Sequence, residues 1–245
     1  MLPDIHTPNH NAEAISAVIR FIKYFKPHRL IQLGDFCDFD SLSRFDLHNV
    51  NHFVTLHEEL ESSNHLLDQI DKAVPRACEK VMIGGNHEDR YHQAKAKFMF
   101  VPDKVSRSMV EWRASWAHEY RLDERGWKWC EYGHGFTFGK VHYTHGWYTG
   151  DSAMKRMAGT RPGKNLVTGH LHCHDVYGSI DENMQPIEAE TIGTLSRFDL
   201  AYLRGKPPTN WLTAFMVIYT RDNGLFNKYL INIIDGGFVF NGLEF

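Results

Sequence analysis

The chain has 245 residues, of which 42% are hydrophobic and 23% charged, with a net charge of −3. This is the composition of an ordinary globular protein, and it excludes the global basic field of a nucleic-acid-coating protein while leaving room for a local groove. Scattered cysteines without a Cys-x-x-Cys pair, no apolar run of membrane-span length and no signal-peptide pattern predict a protein of the reducing cytoplasm.

Along the chain, Ile15, Val18, Ile19, Ile22 and Phe25 fall at helical spacing, with Asn11 as N-cap and Pro27 as a stop. Leu30-Ile31-Gln32-Leu33 reads as a buried strand ending at Gly34-Asp35. Leu56, Leu60, Leu67 and Ile70 predict a second helix closed by Pro75, and Val81-Met82-Ile83 a strand ending at Gly84-Gly85-Asn86. Helices alternating with short apolar strands point to a parallel-rich sheet, whose ligands gather beyond the strand C-termini. Residues 91–130, rich in Lys, Arg and Trp, predict a helical insertion with Val105, Met109, Trp112 and Trp116 on one face. The remainder reads as β-rich: Phe136 to Thr144, Leu166 to Thr168, Asp175 to Ile180, Ile187 to Ile192, and a late antiparallel pair, Phe215 to Thr220 and Tyr229 to Ile234. One domain over residues 1–245 is expected, an α/β two-sheet sandwich with flanking helices. Only Met1-Leu2-Pro3 precede Asp4, too few for a strand, and Pro3 lacks a ladder donor.

Five polar clusters, several at the ends of apolar runs, carry the chemistry: Asp4-Ile5-His6, Gly34-Asp35-Phe36-Cys37-Asp38, Gly84-Gly85-Asn86-His87-Glu88, His145-Gly146 and Gly169-His170-Leu171-His172. Any one alone has an ordinary reading: a surface turn, a helix N-cap or a solvated hairpin. In order and together they supply the donors of a two-metal centre. Two divalent ions about 3.5–4 Å apart can clamp a phosphoryl group and generate a hydroxide at neutral pH. Such a site needs a bridging carboxylate, neutral imidazoles and further oxygen ligands.

In these motifs, over roughly residues 4 to 172, the chain resembles the calcineurin-like metallophosphoesterases. The resemblance implies a phosphoester hydrolase acting on a phosphomonoester or phosphodiester, with a nucleotide or nucleic acid among the candidate substrates. It also implies a full strand ahead of Asp4, so a first strand is expected to be missing here, either lost or lying upstream of the first residue. It assigns Asp4, His6 and His172 to a first metal, Asp35 as the bridge, and Asn86, His145 and His170 to a second, with Mn²⁺ expected and Fe, Zn²⁺ or Ni²⁺ accepted by the same donors. His87 would act on the leaving-group oxygen, since histidine exchanges protons near neutrality. Asp38 would orient a histidine or its loop, and Glu88 would support the ligands from outside. Arg90 either contacts a substrate phosphate or pairs with nearby acids. His174 either meets the ligands or substrate or is plainly exposed, and His142 packs or faces solvent. Asp38 is followed by Phe39-Asp40 and not by the arginine of the phosphoprotein phosphatases; Pro3-Asp4-Ile5-His6-Thr7-Pro8 and Asn86-His87-Glu88-Asp89-Arg90 look more like the phage and bacterial branch, which for a phage protein implies the host cytoplasm. The alternative from another class is a metal-binding scaffold with impaired catalysis, or a subunit that recruits a partner.

Overall fold

The computed structural model describes residues 1–43, 54–99, 115–200 and 209–245. Val105, Met109 and Trp112 of the expected insertion helix lie outside these residues. The described chain is a mixed α/β structure with several sheets and flanking helices.

Helix α1, Ala12–Phe25, starts where Asn11 caps it by accepting the Ala14 N–H, and it stops at Lys26, which takes a left-handed conformation ahead of Pro27. Its apolar stripe, Ala14, Ile15, Ala17, Val18, Phe21 and Ile22, is buried. Helix α2, Leu56–Ala73, opens on a capping box in which Thr55 and Glu58 satisfy each other's N–H groups. Strands β1, Arg29–Gln32, and β2, Glu79–Ile83, pair in parallel. A third parallel strand, β3, Trp127–Cys130, joins β2. This departs from the expectation for residues 91–130. Helix α3, Asn86–Met99, and the short α4, Trp116–Glu119, are helical there, but Trp127-Lys128-Trp129-Cys130 belongs to the sheet. Trp127 is buried there, as part of the core.

The second sheet contains β4, Gly135–Phe138, β5, Val141–Thr144, β6, Asn165–Thr168, β7, His174–Ile180, and β8, Pro186–Ile192, in the order β4-β5-β6-β8-β7. Its centre, β5, β6 and β8, is parallel, and both edges are antiparallel. The run read as one strand from Phe136 to Thr144 is a hairpin, because Gly139 at φ 60° turns the chain between Phe138 and Val141. Helix α5, Ala153–Thr160, buries Met154 and Met157 against Leu166 and Ala189 of this sheet. A hairpin of β9, Ala214–Thr220, and β10, Phe226–Asn232, follows, then a short pair, β11, Val239–Phe240, and β12, Leu243–Glu244. Strand β10 begins earlier than expected, and Ile234 lies outside it, exposed.

Period-two alternation divides the core. Leu30 and Met82 face the helices, whereas Ile31, Val81 and Ile83 pack with Val141, Tyr143, Val167 and Ile192 of the second sheet. The first residues sit between β1 and β9. Leu2 donates to the Ile31 carbonyl and accepts from Leu33, and Asp4 bridges to Thr194. The parallel strands therefore end near one another, and the polar clusters follow them.

Candidate metal centre

The loop after β1 holds Asp35 at φ 49°, a left-handed conformation in a non-glycine residue, and His6, His170 and His172 share it at 56°, 74° and 60°. Such backbone is costly and persists where surrounding bonds enforce it. Here the bonds are explicit. The Asp35 carbonyl accepts the N–H groups of Ile5 and His6. The Glu88 carboxylate accepts the N–H groups of Asp35, Phe36, Cys37 and Gly85, four donors from two loops. Two glycines permit the close approach: a Cβ on Gly85 would stand 2.1 Å from Asp35 Oδ1, and one on Gly169 would stand 2.1 Å from Asp4 Oδ1.

On one side, Asp4 Oδ2 lies 3.1 Å from His172 Nε2, which lies 3.0 Å from His6 Nε2. On the other, His145 Nε2 lies 3.0 Å from Asn86 Oδ1, and the His145 and His170 rings are 5.1 Å apart. Asp35 stands between. Its Oδ2 is 3.9 Å from His6 Nε2, 3.3 Å from His145 Nε2 and 3.8 Å from His87 Nε2. The ligand atoms of Asp4, His6 and His172 are close enough together to hold one cation, and so are those of Asp35, His145 and His170. The trio His6, Asp35 and His87 meets the same condition, so proximity alone does not separate His87 from the ligands.

Burial by itself would raise the carboxyl groups of Asp4 and Asp35, but His172 and His145 beside Asp4, and His145 and His87 beside Asp35, hold both below the usual carboxylate value. Both are therefore anions, fully buried, and among the described residues their ion-pair partners are histidines, with no lysine or arginine. Burial would lower His6 and His145, yet Asp38 and Asp35 respectively outweigh it and push each up to about 9. His170 is driven down to about 4 by burial and by His145. The donor set fits divalent cations. Carboxylates and imidazole nitrogens converge with no lysine or arginine among them, and His145 Nδ1 donates to the Leu33 carbonyl at 2.9 Å, which fixes the ring with Nε2 3.3 Å from Asp35 Oδ2; the proton that Asp35 holds on that nitrogen is the one a divalent cation would displace.

The remaining predicted residues divide. Asp38, buried, places Oδ1 3.2 Å from His6 Nδ1 and 3.0 Å from His87 Nδ1, so one carboxylate orients both rings. His87 Nδ1 also donates to the Asp38 carbonyl at 2.6 Å. Arg90 donates to that carbonyl at 2.8 Å and to His87 Nε2 at 3.0 Å, and pairs with Asp40 at 3.5 Å. His174, on β7, is held by Glu190 at 3.0 Å and is in none of the ligand groups. His142 is buried on β5 against Thr137. Three participants escape the sequence motifs. Asn9 donates to Asp38 Oδ2 at 2.6 Å, Thr191 donates to the Gly169 carbonyl at 3.0 Å, and the Trp211 ring stands 4.3 Å from that of His172. Asn9 follows the first cluster and was within reach of a sequence argument; Trp211 and Thr191 carry no spacing signal.

The chain matches no protein-family model and no curated protein. No described helix is long and apolar enough to cross a membrane.

Proposed function

We propose that this chain is a metal-dependent phosphoester hydrolase with the two-sheet sandwich of the calcineurin-like phosphoesterases, as one domain over residues 1–245. The observation that carries the reading is Asp35 Oδ2, which faces imidazole nitrogens of both ligand groups at 3.9 and 3.3 Å. A buried carboxylate so placed can be shared by two cations and offset their repulsion. Asp4, His6 and His172 would hold one cation, Asn86, His145 and His170 the other. When bound, such ions supply Lewis acidity at the phosphoryl oxygens and lower the pKa of a water toward neutrality. Asp38 keeps His6 and His87 in register, and His87 delivers a proton to the departing oxygen. Arg90, beside His87, offers a guanidinium to a phosphate oxygen. The substrate class is a phosphomonoester or phosphodiester, with nucleotides and nucleic acids within it.

The test is reconstitution with Mn²⁺, metal counting, and turnover of p-nitrophenyl phosphate and bis(p-nitrophenyl) phosphate. Two ions per chain and metal-dependent hydrolysis of at least one ester are expected, with Asp35→Asn losing both ions and the activity. Two ions retained in Asp35→Asn would overturn the shared bridge. Two tightly bound ions with no turnover of either ester would leave the metal-binding scaffold as the better reading.

A further inference from the structure

The loop that leaves the second-metal ligand His145 leads onto a face whose charge opposes that of the chain. Residues 145–165 hold Lys155, Arg156, Arg161 and Lys164 against one acid, Asp151, in a chain of net charge −3. Met154 and Met157 of α5 pack on the second sheet together with Trp147 and Tyr148, which leaves Lys155 and Arg156 exposed on the outer side of the helix. Lys164 is exposed as well, and Arg161, Trp147 and Tyr148 are half-buried. Elsewhere Arg29, Lys80, Arg125 and Lys228 each hold a carboxylate. Among the described residues Arg156, Arg161 and Lys164 make no ion pair. Asp181, which approaches Gly163, accepts instead from Asn183 and Gln185 in its own turn.

Aromatic rings hold two of these cations in place. The Arg156 guanidinium lies 3.9 Å from the centre of the Tyr148 ring, and that of Arg161 lies 5.9 Å from the centre of the Trp147 ring. A guanidinium over a ring keeps its N–H donors free at its edge. Arg161 and Lys164 meet again at His142. Burial lowers that imidazole and the two cations lower it further, so the ring is neutral and offsets neither charge. The face adjoins the proposed metal centre. A Cβ on Gly146 would stand 3.1 Å from His170 Cβ, so the loop lies against that ligand. The Tyr132 ring is 6.0 Å from that of His145, and a Cβ on the next residue, Gly133, would stand 3.8 Å from Trp147 Nε1. Outward from the second metal the order is Tyr132, Trp147, Arg161 and Lys164, with Tyr148 and Arg156 beside them.

We propose that this face carries a single-stranded nucleic acid whose scissile phosphodiester lies at the metal centre. The inference rests on the hydrolase reading and narrows its substrate to a polynucleotide. A phosphomonoester held at the metals would leave Arg156, Arg161 and Lys164 without an anion, whereas a strand continues past the metals with a phosphate on every nucleotide. Guanidiniums without a carboxylate take phosphate oxygens in pairs. Aromatic rings and guanidinium planes take bases of any sequence, because every base has a π-face. A duplex keeps those faces inside its own stack, so Tyr132, Trp147 and Tyr148 would add little to its binding. The mixture of rings and cations therefore selects the single strand.

The experiment follows the fluorescence anisotropy of a labelled phosphorothioate oligothymidylate, which resists hydrolysis, with the full chain and Mn²⁺ over a range of salt concentrations. Replacing Arg156, Arg161 and Lys164 together by Ala is expected to weaken binding by about tenfold or more. The slope of log affinity against log salt should flatten by roughly 0.7 for each cation removed. Arg156→Gln alone, at an exposed position, should flatten it by about one such step and serves if the triple variant fails to fold. With the ordinary oligothymidylate as substrate, the triple variant should raise KM and keep kcat. A parent that does not bind the oligonucleotide, or variants that bind it with the parent's affinity and slope, overturn the proposal. A duplex of the same length bound as tightly, and weakened by the same substitutions, overturns the choice of a single strand. Binding to phosphatidylserine vesicles in place of the oligonucleotide overturns it in favour of a membrane surface. A chain that hydrolyses nitrophenyl esters yet ignores the oligonucleotide overturns this inference alone; one that binds the oligonucleotide through these cations yet cleaves no ester overturns the hydrolase reading and leaves the face as a nucleic-acid site.

Discussion

The backbone N–H of Asp35 donates to the Glu88 carboxylate at 2.9 Å, which ties the loop carrying the shared aspartate to the first turn of α3. The same carboxylate accepts from Phe36, Cys37 and Gly85 and from the Tyr120 hydroxyl. Burial, reinforced by the charge of Asp35, raises the Glu88 carboxyl, and the backbone N–H groups oppose that rise. One side chain therefore holds together the ends of β1 and β2.

Glu88→Ala should leave those four backbone donors without an acceptor in a buried loop, each at about 1–3 kcal/mol. A large fall in Tm and loss of both metals are expected. Glu88→Gln keeps an acceptor oxygen but turns an N–H₂ toward backbone donors, so an intermediate Tm is expected. Thermal melts and metal counts on the two variants check this. A Glu88→Ala protein as stable as the parent, with both ions bound, would show that the loops hold themselves.

Protonation of the ligands predicts a pH window. The metal-free fold holds His6 and His145 at about 9, above the ordinary histidine value, because Asp38 and Asp35 outweigh burial. Between about pH 6.5 and 9 the folded chain then binds more protons than the unfolded one. The stability contributed by these two rings is fully present below that window and is lost as pH rises through it. Divalent ions compete with the same protons, so their affinity should increase over the same range. Melts of the metal-free protein from pH 6 to 9.5 should show a falling Tm. Calorimetric titration of Zn²⁺ at pH 7 should show heats that depend on buffer ionisation enthalpy, reporting proton release. Buffer-independent heats would mean the rings are already neutral.

How much of this was legible in the sequence follows from how local each cause is. The cap at Asn11, the stripe of α1 and the strand ends at Gly34 and Gly84 depend on residues close in the chain, and the structure has them near where periodicity put them. Strand β3 was hidden because Trp127-Lys128-Trp129 alternates for only four residues inside a basic, Trp-rich stretch. The β4–β5 hairpin was hidden because its two-residue turn interrupts an apolar run only at Gly139-Lys140. In the sequence Glu88 stands out only as a neighbour of Asn86 and His87, since its importance lies in backbone groups of residues 35–37, and backbone partners leave no trace in side-chain pattern. Trp211 reaches His172 only through the tertiary fold.

The last prediction separates His87 from the ligands it adjoins. Its Nδ1 donates to the Asp38 carbonyl at 2.6 Å, and because a guanidinium only donates, its Nε2 accepts from Arg90 at 3.0 Å. To protonate a leaving group, Nε2 must carry a proton and Arg90 must turn aside, which a bound phosphate would favour by attracting the guanidinium. His87→Gln should leave both metals bound and lower kcat by roughly 10²–10⁴-fold, the usual range for a positioned acid. The loss should shrink for nitrophenyl esters, whose leaving groups need little protonation, and persist for alkyl esters. His145→Gln should instead lose the second metal together with activity. Metal analysis and kcat on the two ester classes decide between the roles. If His87→Gln strips metal as His145→Gln does, the trio of His6, Asp35 and His87 is a ligand set and His87 belongs to it. If it hydrolyses alkyl esters at the parent rate, another group supplies the proton.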